Sequence, residues 1–362
     1  MTVLVFIIVL AALILAHELG HFLVARACGV RVDKFALGFG PRIVSWKGKE
    51  TEYALNLIPF GGYVKIFGED PNEENTSGPD SSKSLVNKPR SKQILVLASG
   101  VLANFIFAWL LYAGVFASGV TASVDGFEKY ADLFHNQRVM ITYVLPDSPA
   151  EKAGLKEGDV FVSVGGKVRQ SVADIQNTIN SVASHTISVE YARGSGLKSV
   201  EIIPASGLVT GKYAIGIAMD NVVDLKLPFF NAVSESLRYT LTLIKETFVS
   251  LYGFVADIFR GAPNFSEVTG PVGIAGIVGN AAQLGFTYLL MVTALISINL
   301  GVVNLIPFPA LDGGRILVVA IEGAVRRRIP AKVINAVNLA GFALLMVLMV
   351  IVTWQDIARL IK

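Results

Sequence analysis

A chain of 362 residues that is 53% hydrophobic and only 16% charged, with a mean hydropathy of +0.58, has too little polar surface for a purely water-soluble protein. Its 31 Lys and Arg against 28 Asp and Glu leave a net charge of +3, too small for a nucleic-acid footprint, and the hydrophobicity excludes disorder. Cys28 is the single cysteine, so no intrachain disulfide can form.

In chain order, Val3 to Ala16 is an apolar run, and after His17, Glu18 and His21 the apolar character continues to Ala25, which predicts a first transmembrane helix within segment 1–33. A secretory signal is the alternative, with Ala11, Ala12 and Ala16 as small residues for cleavage, but no Lys or Arg precedes the run. Segment 34–68 alternates apolar and polar residues and ends in Pro59-Phe60-Gly61-Gly62-Tyr63, predicting a membrane-associated β region with a glycine turn. Glu69 to Ser84 is dense in Asp, Glu, Asn, Ser and Pro, which predicts a flexible cytoplasmic loop over 69–93. Ile94 to Val124 carries no charge and predicts the second transmembrane helix, 94–124.

From 138 to 219 the composition turns globular, with strand-like runs at Val160–Val164, Ile187–Tyr191 and Val200–Ile203. A short helix led by Asp147-Ser-Pro-Ala150, a tight turn at Gly154–Asp159 and a second helix at Ser171–Ile179 make this order similar to a bacterial PDZ domain. The resemblance implies peptide binding by Ala214, Ile215, Gly216 and Ile217, which match the carboxylate-binding loop; a β-rich spacer is the alternative. Segment 229–260 is rich in Leu, Phe and Val but carries Glu235, Arg238, Lys245, Glu246 and Asp257 at helical spacing, predicting an interfacial amphipathic helix rather than a fifth span. Val268 to Leu311 is charge-free and contains the predicted third transmembrane helix, 281–314; the fourth is 333–356. The fold class is thus a polytopic α-helical membrane protein with four transmembrane helices, one inserted PDZ-like α/β domain and a membrane-associated β-hairpin region. Eleven Lys and Arg lie between Arg26 and Lys92, and Arg315, Arg326, Arg327, Arg328 and Lys332 follow the third span, so both segments are expected in the cytoplasm and the PDZ-like insert outside.

His17-Glu18-Leu19-Gly20-His21 is an HExxH motif, and four residues on a helix bring both imidazoles to one face. Zinc hydrolases take three protein ligands and use a neighbouring carboxylate as base, the role Glu18 fits. The alternative is a chance pattern, but an ionisable residue at membrane depth costs on the order of 2.5 kcal/mol or more, and three within five positions call for a common partner. At about 1.5 Å per residue His17 lies roughly 20 Å along a helix begun near Thr2, in the inner half of the bilayer. His135 and His185 fall in the outside region, so the candidate third ligand is Asp312, in Asn304-Leu-Ile-Pro307-Phe-Pro309-Ala-Leu311-Asp312-Gly313-Gly314. Its alternative role is the N-terminal cap of a following helix.

These motifs together resemble the site-2 protease family of intramembrane zinc metalloproteases, most of all the bacterial regulator-of-sigma-E protease (RseP) group. The likeness covers almost the whole chain and includes Gly38-Phe-Gly-Pro41, Gly61-Gly62-Tyr-Val-Lys65 and Gly270-Pro-Val-Gly-Ile274. It implies His17, His21 and Asp312 as Zn2+ ligands and Glu18 as catalytic base. It also implies Asn299, Asn304 and the strands around Gly61 and Gly62 as substrate-binding elements. Single-span membrane proteins already trimmed by a site-1 protease are the implied substrates, in the bacterial inner membrane, with membrane lipid as the surroundings and no nucleic acid as partner. The best-known RseP proteins carry two tandem PDZ domains and this chain has room for one. A metal transporter and a catalytically silent PDZ scaffold are the competing functions.

Overall fold

Fourteen apolar residues without Pro or Gly give a helix nothing to stop it, and α1 (Thr2–Ala27) runs unbroken through both histidines. It ends at Gly29, whose φ of 70° is the left-handed cap: Val30 N–H reaches Ala25 O (2.9 Å) and Gly29 N–H reaches Arg26 O (3.0 Å). The computed structural model describes residues 2–69, 73–168, 171–194, 196–209, 211–261 and 269–361. They form two compact units, Met1–Val115 with Phe229–Lys362, and Phe116–Pro228.

In the first unit, β1 (Val32–Lys47) and β2 (Glu52–Ile66) are long enough to fold back on themselves. Lys34–Leu37 pairs with Gly62–Lys65 on one side and Glu52–Leu55 on the other, and the latter stretch pairs again with Val44–Lys47. The result is a four-lane sheet with Gly62–Ile66 along one edge. The hairpin turns at Gly48–Thr51, whereas Gly61 (φ 112°) and Gly62 lie within β2, where it bends back beside β1.

Segment 69–93 does not form the flexible loop its composition predicts. Asp70, Pro71 and Asn72 lie outside the described residues, but α2 (Glu73–Ser77) and two short 3-10 turns follow. Leu85 N–H bonds Phe67 O (2.9 Å) and Arg31 N–H bonds Lys83 O (3.0 Å), which buries Leu85 with Phe22, Val32, Ile66 and Val96. One apolar side chain and a few backbone bonds anchor an otherwise polar stretch. The second helix, α3 (Arg90–Ser118), starts inside that segment and stops short of the predicted 124, because Gly119 takes φ 106° and the chain enters a sheet.

The insert comprises β3 (Val120–Ser123), β4 (Phe134–Val144), α4 (Pro149–Lys152), β5 (Val160–Val164), β6 (Lys167–Val168), α5 (Val172–Ser181), β7 (Ile187–Arg193), β8 (Gly196–Ile202), β9 (Ala205–Val209), β10 (Lys212–Ala214) and β11 (Ile217–Leu225). The antiparallel order is β3-β11-β4-β5-β7-β8, with β6 on β5 and a separate β9–β10 pair. The domain exceeds the predicted 138–219 at both ends, since Leu225 pairs with Val120 and Phe134. Ile141, Val164, Ile175, Ile187, Val189 and Ile215 form its core. Ser171 caps α5 in a reciprocal box with Asp174.

Arg138 donates to Asp224 Oδ1 (2.8 Å), and this bond, aided by Asn136 and Thr121, holds the Asp224 carboxyl down at about 2 from an ordinary 3.8. A depressed carboxyl stabilises the folded state above 3.8, and the contribution disappears as pH falls to about 2. Asp224→Asn should therefore flatten the acid loss of amide-exchange protection in β3 and β11 over that window; an unchanged profile would refute the assignment.

The remaining helices are α6 (Phe229–Phe259), α7 (Pro271–Leu284), α8 (Phe286–Leu305), α9 (Asp312–Val325) and α10 (Ala331–Ile361). The predicted third helix, 281–314, is thus three pieces. Gly285 (φ 123°) separates α7 from α8, and Pro307 and Pro309 close α8 at Leu305, so Leu311-Asp312-Gly313-Gly314 opens α9 instead of ending a span. The charge-free run begins at Val268, outside the described residues. The predicted 333–356 is the middle of α10, whose buried Asp356 accepts from Gly270 N–H (3.2 Å) and Gly273 N–H (2.8 Å) at the start of α7. Among the described helices α1, α3, α8 and Ala331–Arg359 of α10 are long and apolar enough to cross a membrane.

α6 is not among the described helices long and apolar enough to cross a membrane, in keeping with its charges, and it packs against α8 within the first unit. Tyr112 donates to Met291 O (3.4 Å) and meets the Tyr239 ring edge-on, while Thr247 donates to Asn299 Oδ1 (3.3 Å). Tyr239 to Thr247 and Met291 to Asn299 are equal intervals, so α6 and α8 run side by side and parallel for about 12 Å. Glu235, Ser236 and Thr240 face inward, with Glu235 paired to Arg238, whereas Leu237, Leu241, Val249 and Tyr252 face outward. The polar residues that suggested a water-facing stripe are partly engaged inside the packed unit.

Candidate metal centre

His17 and His21 project from α1 where it crosses α3. Two glycines permit the approach. At Gly20 the place of a side chain is taken by Ser99 O and by Ala103 Cβ (2.6 Å); at Gly100 a side chain would strike His21 Nε2 and lie 2.8 Å from His17 Nε2. Sequence reading missed Gly100 and its neighbour Asn104. The signal was present, since Asn104 is the only amide side chain in the charge-free run from Ile94 to Val124.

Asp312 reaches the same point from the reversal after α8. Ala310 adopts φ 72°, and side chains at Gly313 or Gly314 would strike the carbonyls of Leu305, Ile306 and Phe308, so the tight turn requires both glycines. The capping alternative fails locally: Leu311 holds the N-cap position of α9 and no side chain caps it. The Asp312 carboxylate faces α1 instead. Its Oδ2 lies 3.2 Å from His17 Nε2 and 3.4 Å from His21 Nε2, and the two nitrogens are 3.3 Å apart.

This near-equilateral triangle fits zinc. With bonds of about 2.0–2.2 Å, ligand atoms around a tetrahedral ion stand about 3.3–3.5 Å from one another. Asp312 Oδ2 is buried and has no hydrogen-bond partner among the described residues, the state of an acceptor aimed at a shared ion rather than at an imidazole N–H. His21 Nδ1 donates to Val96 O (2.9 Å), which turns the lone pair of Nε2 toward Asp312. Among the described residues these three form the group of His, Cys, Asp and Glu able to hold a metal. His185 is exposed and turned toward its own backbone at Val182 O, His135 sits on β4, and Cys28 is buried and free.

Glu18 lies against the edge of the β1–β2 sheet. A side chain at Gly62 would stand 3.6 Å from Glu18 Cγ, and Val64 N–H bonds the Glu18 carboxylate. Gly61 and Gly62 thus sit in the lane that runs past the HExxH turn. Asn299 is engaged by Thr247. The side chain of Asn304, half-buried in the last turn of α8, makes no hydrogen bond among the described residues. In the insert, Ala214, Ile215, Gly216 (φ 82°) and Ile217 line a groove of about 160 Å³ against Ile179 and Asn180 of α5. The carbonyls of Ile215 and Gly216 are taken by Ala150 and Leu145 N–H, both 2.9 Å.

Residues 5–348 match Peptidase family M50. The chain belongs to peptidase family M50. A Clostridium perfringens chain bearing a zinc metalloprotease name is 36% identical to this M50 peptidase over 348 residues, 96% of each chain. Zinc metalloprotease RasP of Geobacillus kaustophilus is 28% identical over 427 residues, covering 98% of this chain and 97% of RasP. Among solved structures, the PDZ domain of an SdrC-like protein from Listeria monocytogenes matches 23% of this chain and 86% of its own at 24% identity, with a TM-score of 0.21. The M50 peptidase is an intramembrane zinc metalloendopeptidase of the site-2 type, and zinc is its cofactor. Neither the transporter nor the silent scaffold is favoured, since a transporter would string its ligands along a path and these three converge.

Proposed function

We propose that His17, His21 and Asp312 hold the zinc, that Glu18 is the catalytic base, and that the enzyme makes the second cut in single-span membrane proteins already trimmed by a site-1 protease. Anti-sigma factors and remnant signal peptides are substrates of the right kind. The observation that carries this reading is the convergence of three ligand atoms within 3.2–3.4 Å of one another, beside a carboxylate and a sheet edge. The setting is the bacterial inner membrane, with the centre toward the cytoplasm and the PDZ-like domain outside, a topology supported by the basic residues at 26–92 and 315–332.

Zinc supplies Lewis acidity, which lowers the pKa of water from about 15.7 to near 7. Glu18 accepts a proton as the water oxygen attacks the scissile carbonyl carbon, and delivers it to the amine nitrogen as the C–N bond breaks. A substrate helix hides its peptide bonds in its own ladder and must unwind first. The Gly62–Ile66 edge offers backbone groups for the extended form to pair with, while the space beside Gly61 and Gly62 is taken by Phe39 and by Ile14 and Ala36 O of the chain itself. Asn304, with its amide uncommitted, is better placed than Asn299 to hold the substrate backbone. The groove at Ala214–Ile217 would take the free end left by the first cut.

Purified protein incubated with a reporter single-span substrate should cleave it, stop in a zinc chelator and resume when zinc is returned. Cleavage that persists through chelation would end the reading.

A further inference from the structure

Asn104 lies against the metal centre on α3, with 0% exposure, and no role in the reaction has been given to it above. Its amide stands 3.1 Å from His17 Nδ1, with Nδ2 as the nearer atom, while Oδ1 is buried with no hydrogen-bond partner among the described residues. With Nδ2 donating, Nδ1 must accept. The imidazole proton then sits on Nε2, the atom that faces Asp312 Oδ2, and His17 cannot offer a lone pair there. Turning the amide over exchanges Oδ1 for Nδ2 and keeps one contact to Nδ1, so helix packing does not choose between the two orientations. The tautomer that His17 needs as a ligand does choose: Nδ1 carries the proton and requires an acceptor. The contrast with His21 is instructive, because Val96 O supplies that acceptor from the backbone and fixes its tautomer permanently.

We propose that Asn104 is a positioning residue of the metal centre, whose Oδ1 accepts from His17 Nδ1–H and so holds the imidazole in the tautomer that presents Nε2 to the ion. The proposal rests on His17 being a ligand. Asn104 belongs to α3 and is anchored independently of the metal, since Ser297 of α8 donates to its backbone carbonyl (2.8 Å). That bond holds the turn in place and leaves the side-chain amide free to turn.

The test is a cobalt(II) titration of the full chain in detergent, followed by visible absorption, with variants that differ in the acceptor and little in volume. Asn104→Leu removes the acceptor and should weaken binding by about 10–100-fold, the effect of losing a partner of a ligating histidine. Asn104→Asp keeps an acceptor in the same place and should retain the affinity and spectrum of the unchanged chain. Ser297→Ala disturbs the packing of the same turn and should also leave both intact. His17→Ala should lose the tetrahedral spectrum; if it does not, the reading of His17 as a ligand fails, separately from this proposal. If His17→Ala loses binding while Asn104→Leu matches the unchanged chain, the proposal is overturned. It is overturned equally if Asn104→Asp binds as weakly as Asn104→Leu, or if Ser297→Ala falls with it. Should Asn104→Leu fail to fold, Asn104→Asp still decides, because a tenfold loss there contradicts the acceptor role and full retention supports it.

Discussion

Glu18→Gln is expected to lower turnover of a single-span substrate by about 10²–10⁴-fold, the contribution of a positioned acid–base group, while zinc content stays that of the unchanged chain. The amide has nearly the size of the carboxylate and keeps an oxygen for Val64 N–H, so the edge lane at Gly62–Ile66 should hold its place. Neither imidazole nor the Asp312 carboxylate is altered, and His21 retains its bond to Val96 O. What is lost is the ability to accept a proton from water and return it to the leaving amine. The measurement pairs single-turnover cleavage with zinc content of the same preparation. Loss of zinc along with activity would make Glu18 part of the metal site instead of the base. Undiminished turnover would move proton transfer to another group.

How far the sequence revealed the molecule depended on whether a feature was local. HExxH on α1 and the charge-free runs of α3 and α10 depend on residues within a turn or within one bilayer thickness, and such patterns read directly. The position of Asp312 was half legible. Pro307, Pro309, Gly313 and Gly314 announce that the chain turns, but not that α8 ends at Leu305 and that the aspartate opens α9. The segment before α3 was misread because composition weights every residue equally, whereas Leu85 and a few backbone bonds decide its order. On α6 the helical pattern showed charges, but a pattern cannot separate a face turned to water from one turned to polar partners such as Glu235 and Arg238. Gly100 and Asn104 were missed for a different reason: each acts on a histidine of another helix, so a lone amide in a charge-free run marks an unusual position without naming its partner.

Gly100→Ala sets two effects of opposite sign against each other. In a helix interior alanine is favoured over glycine by about 0.8–1.0 kcal/mol. The added methyl overlaps the ends of the His17 and His21 rings, which can swing aside as flexible side chains rather than push the helices apart. If His21 swings, it gives up its bond to Val96 O, a loss of about 1 kcal/mol, so the zinc-free chain should change in stability by no more than about that amount. The metal centre has no such compensation. Three donors spaced at 3.2–3.4 Å cannot hold that spacing once a methyl occupies the gap, and zinc affinity should fall by at least about 10²-fold. Zinc competition against a chelator, run beside thermal melts of the zinc-free protein, separates the two effects. Retained affinity would show that the imidazoles do not meet at the point Gly100 leaves open. Collapse of the zinc-free chain would show instead that the glycine serves the α1–α3 crossing and that the rings were never free to move.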